Sequence, residues 1–433
     1  MEQIIEIERF INSKANKMKK KIWYVAFAAL CLMGTSTFTS CSDDDDPAPV
    51  VCPVGETEFT AAKGLQLTYN NNPMLGQKVK FTPNGDKATL TIKSDFDLSG
   101  LIGGKANLPL QLQGPGLLPG TPELTLHVDL KVNGDQCSFE GAGEAEYCTY
   151  EYQGTVAKGS LNLQFNNVKL KDTSFEGTWN LAPLGEAWGG VPEETPIHFV
   201  WEATESLNIE LIPGFPPLKM PIQKVVEMAL YSVSSVPVGT EKKTPAEVLA
   251  ALFHQVRFEK DGTIVAKYKD IDKIADENWQ TSPANLAQYV VTNNGQLKLF
   301  LNPVAIMAAA NAQQKVGAKD NMSSLLPVLQ EAMNIFGGML QNGIPLSVKK
   351  EEGKCTIFLP KETLMPVMTK IVKPLLEDKA VVEFLLKQIG QNPDMGALSM
   401  YVKPMLDQLP GIIDSMTDEH ELQIGLNFVV SEE

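Results

Sequence analysis

Leu124-Thr125-Leu126-His127-Val128-Asp129-Leu130-Lys131-Val132 alternates strictly between apolar and polar residues. A period of two is the mark of a β-strand with one buried and one wet face, because successive side chains leave the backbone on opposite sides. His127 falls on the wet face and reads as a solvated histidine rather than a ligand. The same alternation recurs in Val79 and Phe81, in Ala88, Leu90 and Ile92, and in Leu161, Leu163 and Phe165. Turn formers separate these runs: Pro83-Asn84-Gly85-Asp86, Asn133-Gly134-Asp135 and Asn166-Asn167. Residues 56–190 are therefore predicted to be an all-β meander of about eight short strands, folded as a small barrel or a sandwich. Residues 100–122, rich in Gly, Pro and Leu, are predicted to be a loop over one end of that sheet.

Downstream the pattern changes. Residues 180–196 (NLAPLGEAWGGVPEETP) carry little periodicity and many breakers, and a domain boundary is placed there. Trp179, Trp188 and Trp201 gather around it. Tryptophans in that position either stack on sugar rings or pack between domains. Residues 191–433 mix hairpins with helices. Asp261-Gly262, Asn293-Asn294-Gly295 and Glu351-Glu352-Gly353 are turns within hairpins over 256–269, 287–301 and 345–359, and Leu422–Val430 is a closing strand. Thr244-Pro245-Ala246-Glu247 is a capping box with proline at the first helical position, and Asn302 caps a helix that begins at Pro303. Leu326, Leu329, Met333, Phe336 and Leu340 recur at helical spacing, as do Leu364, Met368, Ile371 and Leu375. Pro404 and Pro410 are expected to limit the helix over 398–413. The second domain is predicted to be α+β, with apolar helices on an antiparallel sheet.

At the other end of the chain, Lys19-Lys20-Lys21 precede an apolar run over 22–33. That run is too short to span a bilayer and fits the core of a signal peptide. Phe38-Thr39-Ser40-Cys41 follows, and small residues before a cysteine have the form of a lipobox, with Cys41 as the acylated first residue of the mature chain. Glu2, Glu6 and Glu8 do not suit the charged start of a signal, so translation is read as beginning at Met18. Ser42-Asp43-Asp44-Asp45-Asp46-Pro47 then forms an extended tether, since adjacent carboxylates repel and proline blocks helix. An acidic run beside an acylated cysteine also resembles the export signal of Bacteroidetes surface lipoproteins. The parts are thus a signal at 1–40, a tether at 41–55, a β domain at 56–190 and an α+β domain at 191–433.

A net charge of −15 speaks against nucleic acid, and against adhesion to anionic lipid through the protein surface. Membrane contact would run through the acyl chains alone. Of the six cysteines, Cys31 leaves with the signal and Cys41 is acylated. Cys52, Cys137, Cys148 and Cys355 remain, in an oxidising compartment. Cys137 and Cys148 flank Gly141-Ala142-Gly143. With a turn there, they would face each other across a hairpin and form a disulfide; the alternative is that Cys52 takes one of them. No CxxC spacing occurs and the four histidines are widely separated, so no metal site and no cofactor are expected. GxSxG, HExxH, P-loop, GxGxxG and EF-hand patterns are absent from the sequence, and no catalytic residue is assigned. A dispersed carboxylate pair would serve a glycoside hydrolase, but among 52 acidic residues the sequence selects none.

Methionine gathers after residue 300, at Met307, Met322, Met333, Met339, Met365, Met368, Met395, Met400, Met405 and Met416. Its flexible thioether adapts to irregular apolar shapes, so helices rich in Met, Leu and Ile either line a cavity for an apolar ligand or form a plain core. The lining candidates are Met333, Phe336, Leu340, Leu364, Met368 and Ile371.

Further residues bear on kinship: Phe258-Glu259-Lys260-Asp261-Gly262-Thr263-Ile264-Val265-Ala266-Lys267-Tyr268, Trp279-Gln280-Thr281-Ser282-Pro283, Tyr289-Val290-Val291 and Leu299-Phe300-Leu301-Asn302. With the lipobox and its Asp run, the mature chain resembles a family of gut Bacteroidetes surface lipoproteins about four hundred residues long. That family carries no assigned activity, so the resemblance transfers no functional residue. By fold analogy alone, the β domain is similar to small calycin-like barrels, which often bind apolar ligands. The resulting expectation is a lipid-anchored outer-membrane protein facing the cell exterior, a non-catalytic binding module for an apolar or lipid-like molecule. The alternatives are a glycan-binding accessory lipoprotein that uses its tryptophans, and a hydrolase with dispersed carboxylates.

Overall fold

In the computed structural model, which describes residues 52–96, 114–186, 191–210, 214–239, 241–274, 276–311, 335–390 and 396–431, the alternating stretch is a strand over Glu123–Asp129. Leu124, Leu126 and Val128 are buried, while Thr125, His127 and Asp129 are exposed. The signal, Cys41, the acidic run, Trp188 and Met333 lie outside the described residues.

That strand is β6 in the series β1 (Thr57–Phe59), β2 (Leu65–Tyr69), β3 (Asn72–Pro73), β4 (Gln77–Asn84), β5 (Lys87–Ser94), β6 (Glu123–Asp129), β7 (Lys131–Asn133), β8 (Gln136–Glu144), β9 (Cys148–Ala157) and β10 (Ser160–Leu170). They form a four-stranded sheet, β1-β4-β5-β6, and a six-stranded sheet, β3-β2-β10-β9-β8-β7. The facing side chains interdigitate as in a sandwich. Phe59, Phe81 and Leu90 from one sheet, and Tyr69, Leu163 and Phe165 from the other, are fully buried. The region is not a simple meander. β10 returns to pair with β2 in parallel, Leu161 opposite Leu65 through Phe165 opposite Tyr69.

The hairpin β8–β9 carries Cys137 and Cys148, but its turn lies at 145–147, where the Ala145 N–H donates to the Cys148 carbonyl at 2.8 Å. Cys137 stands opposite Val156, and Cys148 opposite Leu170. The expected Cys137–Cys148 disulfide is therefore not formed. Gly141 and Gly143 sit inside β8 rather than at a turn. Each lies opposite a tyrosine, Tyr152 and Tyr150, whose ring and hydroxyl occupy the space a Cβ would need.

The remaining strands are β11 (Gly177–Leu181), β12 (Ile197–Trp201), β13 (Leu207–Ile209), β14 (Leu218–Met220), β15 (Val236–Val238), β16 (Glu241–Lys243), β17 (Phe253–Phe258), β18 (Thr263–Tyr268), β19 (Gln280–Thr281), β20 (Ala287–Val291), β21 (Leu297–Leu301), β22 (Ile344–Glu351), β23 (Lys354–Leu359) and β24 (Leu422–Val430). β17, β18, β20, β21, β22, β23 and β24 are successive antiparallel neighbours. β11 pairs with both ends of that series, with β17 and with β24, and so closes an eight-stranded barrel. The antiparallel sheet expected for the C-terminal region is thus a closed one, and the barrel lies there rather than in the N-terminal β region. The boundary expected near residue 190 falls after β11, which is itself a barrel strand. One hydrophobic core runs through sandwich and barrel, from Cys52 and Phe59 to Tyr289 and Phe428.

The β17–β18 turn fastens the two halves. Gly262 takes a left-handed conformation, φ 88°, where a side chain would meet the Tyr289 carbonyl and Pro119. Beside it the Tyr69 hydroxyl donates to the Asp261 carbonyl at 2.5 Å, the Asn70 amide donates to the Asp261 carboxylate at 2.8 Å, and the Leu170 N–H donates to the Lys260 carbonyl at 2.8 Å.

Two helix-start signals are realised, whereas Leu326, Leu329 and Met333 of the first apolar stripe lie outside the described residues. The Glu247 N–H donates to Thr244 Oγ1 at 3.2 Å, and the Thr244 N–H to the Glu247 carboxylate at 2.7 Å, which completes the capping box of helix Pro245–Leu252. The Ala305 N–H donates to Asn302 Oδ1 at 3.1 Å, at the start of Pro303–Asn311. One expectation fails: helix Gly396–Asp414 continues through both Pro404 and Pro410. Its packing accounts for this, since Met405, Leu409 and Ile412 lie against Leu207 and Ile222 and hold the helix on either side of Pro410.

Candidate functional site

Strand register fixes which side chains face the barrel interior, because residues paired across a ladder share a face. Phe258 pairs with Ile264, Tyr289 with Leu299, Leu297 with Leu346, Ile357 with Leu426, Leu359 with Ile424, and Phe428 with Leu181. All of these are apolar, and each inward position is reached by steps of two along its strand. All of them but Leu181, together with Phe253 and Val256, line a cavity of about 300 Å³. A barrel of this strand number has an interior that side chains either fill or leave open for one small ligand.

Both outcomes occur along this lumen. One part is filled by an aromatic cluster. The Phe175 ring lies edge-on to Phe258 at 4.7 Å and stacks on Trp179 at 6.1 Å, while Phe258 and Tyr289 meet at 5.1 Å. The Lys350 ammonium sits 4.5 Å from the Phe175 ring and donates to the Ser174 carbonyl at 3.1 Å. The Tyr289 hydroxyl donates to the Glu259 carbonyl at 3.0 Å. Burial, and then the nearby carboxylates led by Glu176, push its pKa above the usual phenol value, so Tyr289 stays neutral.

Elsewhere the inward-facing side chains are only partly covered, packed against the edge of the core. Ile264, Leu299, Leu346, Ile357, Leu359 and Leu426 are only half-buried, and Ile424 is 40% exposed. In a lumen packed to the density of a protein interior these positions would be shielded from solvent. The barrel is therefore incompletely filled and open beside Ile424. Among the described residues that line the cavity none is charged, and Tyr289 brings a hydroxyl already engaged with Glu259. Such a lining favours apolar matter by desolvation. It supplies no nucleophile and no acid–base pair.

The candidates singled out from sequence lie elsewhere. Leu364 and Met368 are buried with Ile413 and Leu422, and Met365 and Trp201 pack against them. This cluster meets the cavity lining through Leu359. Ile371 and Leu340 are half-buried and Phe336 is 43% exposed. Trp179 packs on Phe175 in the barrel, and Trp201 sits between two small apolar clusters; the indole Nε1 of each is buried without a hydrogen-bond acceptor. Both are half-buried and packed against apolar neighbours. A polar depression of about 250 Å³ on the six-stranded sheet is lined by Lys131, Glu140, Gln153, Asn162 and Gln164. Its aromatic member, Phe139, is 2% exposed and offers no stacking surface.

Sequence reasoning missed the lining residues of β17 to β24, although their alternation is visible. With helices expected on an antiparallel sheet, the apolar face of these hairpins is accounted for by helix packing and points to no cavity. No protein-family model, no curated protein and no solved structure matches this chain.

Proposed function

We propose that the protein is a lipid-anchored outer-membrane lipoprotein, exposed at the cell surface, whose barrel holds a small apolar or lipid-like molecule without transforming it. The observation that carries this reading is the half-covered apolar inner face around the cavity at Ile357, Leu426 and Ile424. An apolar ligand entering there would remove that surface from water, at ~25 cal/mol for each Å² buried. A volume of about 300 Å³ stands at the small end of ligand pockets, which suits a compact molecule or one segment of a longer chain. An uncharged lining disfavours ionic head groups inside the lumen and leaves them at the mouth.

The location belongs to the same proposal. Cys41 is the acylated residue and Asp43 to Asp46 carry the export signal, in keeping with the gut Bacteroidetes lipoproteins that the sequence resembles. More than one acyl chain gives stable attachment where one gives little. Two measurements test the reading. Protein isolated from its own cells is extracted with organic solvent, and the extract is analysed by mass spectrometry; a stoichiometric apolar compound is expected. Cys41→Ala should leave the protein unprocessed or released from the membrane fraction. An empty extract, together with failure to bind the uncharged dye N-phenyl-1-naphthylamine, removes the ligand reading. Unchanged processing of Cys41→Ala removes the anchor.

A further inference from the structure

Cys52 Sγ lies 2.6 Å from Cys137 Sγ, and both side chains are buried, at 7% and 0% exposure. No such proximity joins the other two thiols: Cys148 stands opposite Leu170 on β10, and Cys355 opposite Lys350 and Phe428 in the barrel. We propose that Cys52 and Cys137 form a disulfide that clamps the entry of the chain onto the six-stranded sheet. A movement of about half an ångström brings the sulfurs to bonding distance, ~2.05 Å.

The place of the bridge gives it a purpose. Cys52 precedes β1, which is only three residues long and pairs with β4 alone. Any pull on the chain before residue 52 would otherwise be taken by that short edge strand. Cys137 sits in β8, a nine-residue strand held by β7 on one side and β9 on the other. A bridge between them passes the load to a long strand paired on both sides and bypasses β1. It also joins positions 85 residues apart, which restricts the unfolded chain.

Its formation is thiol–disulfide exchange with an acceptor disulfide, either a small one such as oxidised glutathione or that of a disulfide oxidoreductase. One cysteine thiolate attacks an acceptor sulfur, forming a mixed disulfide and releasing one acceptor thiolate. The second cysteine thiolate attacks the protein sulfur of that mixed disulfide and expels the other. The protein pair loses two electrons and two protons, and the acceptor disulfide gains them as two thiols. Burial first, and then the neighbouring Cys52 sulfur, push the Cys137 thiol up to about 12 in the folded reduced chain. Exchange therefore belongs to the folding chain, before the sandwich closes over the pair.

The test uses the full chain from its own cells, lysed into denaturant with N-ethylmaleimide so that buried free thiols are trapped as well. Non-reducing peptide mapping should find the Cys52 and Cys137 peptides linked, with Cys148 and Cys355 carrying the maleimide. Reduction before trapping should raise the intact mass by two further adducts. Dithiothreitol should lower the melting temperature of the natural chain and leave that of a Cys52→Ala/Cys137→Ala variant unmoved. If that variant does not fold, the peptide map alone decides. Maleimide on both Cys52 and Cys137 in that denatured lysate, or either one bridged to Cys148 or Cys355, overturns the proposal.

Discussion

Leu426→Trp separates an open lumen from a packed core by the sign of its effect. Leu426 lies on β24 opposite Ile357, faces inward, and is half-buried beside the cavity of about 300 Å³. In a filled barrel an indole in place of the isobutyl group would be overpacked and should destabilise by ~1–3 kcal/mol. In the open barrel the ring enters unoccupied space. If it covers roughly 50 Å² more apolar surface, the gain at ~25 cal/mol per Å² is about 1 kcal/mol, so stability should hold or rise. The same ring occupies the volume a ligand needs, so N-phenyl-1-naphthylamine binding should fall by at least about tenfold, which corresponds to ~1.4 kcal/mol. Urea titration gives the first quantity and dye fluorescence the second. A loss of more than about 1 kcal/mol with dye binding unchanged would refute the open lumen.

Two further substitutions probe the surroundings. Met368→Ala removes a core side chain packed near Leu422 and Ile413, so it should destabilise by ~2–5 kcal/mol and leave dye affinity alone; weakened dye binding with intact stability would return the Met-rich helices to the site. His254 stacks on Trp279 at 4.9 Å, and burial first, then Lys267 and Lys269, hold its pKa below the usual 6.5. The unfolded chain thus takes up this proton before the folded one does. Stability is fully present above about pH 6.5 and declines as pH falls through the folded value. His254→Phe keeps the stack and removes the titration, so its melting temperature should drop less than the natural chain's between about pH 7 and pH 5. Parallel melting profiles for the two proteins reject this assignment.

Several local signals of this sequence translate directly into structure. The alternation at Leu124, Leu126 and Val128 becomes β6, the capping box at Thr244 becomes a reciprocal pair of hydrogen bonds, and β24 runs over Leu422–Val430 as read. Each of these is decided within a few residues by side-chain direction or by the needs of a helix end. What failed depends on partners far away in the chain. The β2–β10 pairing places Leu65 beside Leu161, and barrel closure places Trp179 beside Val430. Nothing near either residue encodes the match. Gly141-Ala142-Gly143 shows the other way a local reading errs. Glycine marks a turn when the backbone needs a positive φ, and it marks a strand when a cross-strand ring needs the space of a Cβ. At Gly141 and Gly143 the tyrosines Tyr152 and Tyr150 take that space. The letters are the same in both cases.

The site was hidden for a related reason. An apolar stripe states that a face avoids water and does not state what covers it. On the helices, Leu364 and Met368 find Leu422 and Ile413, and the stripe is closed by core packing. On the strands, Phe258 and Tyr289 find Phe175, and the face is closed by rings. A few residues along the same face, Ile357 and Leu426 pair across one ladder and pack against the edge of the core, yet both stay half-buried beside the cavity. Side-chain volume decides between these fates. The Phe175, Phe258 and Tyr289 rings meet one another, whereas the aliphatic Leu299, Leu346, Ile357, Leu359, Ile424 and Leu426 border the cavity. The sequence does carry this change from aromatic to aliphatic along the inner face. It becomes a prediction of a cavity only once barrel closure, through Leu181 and Phe428, says that those residues face one another.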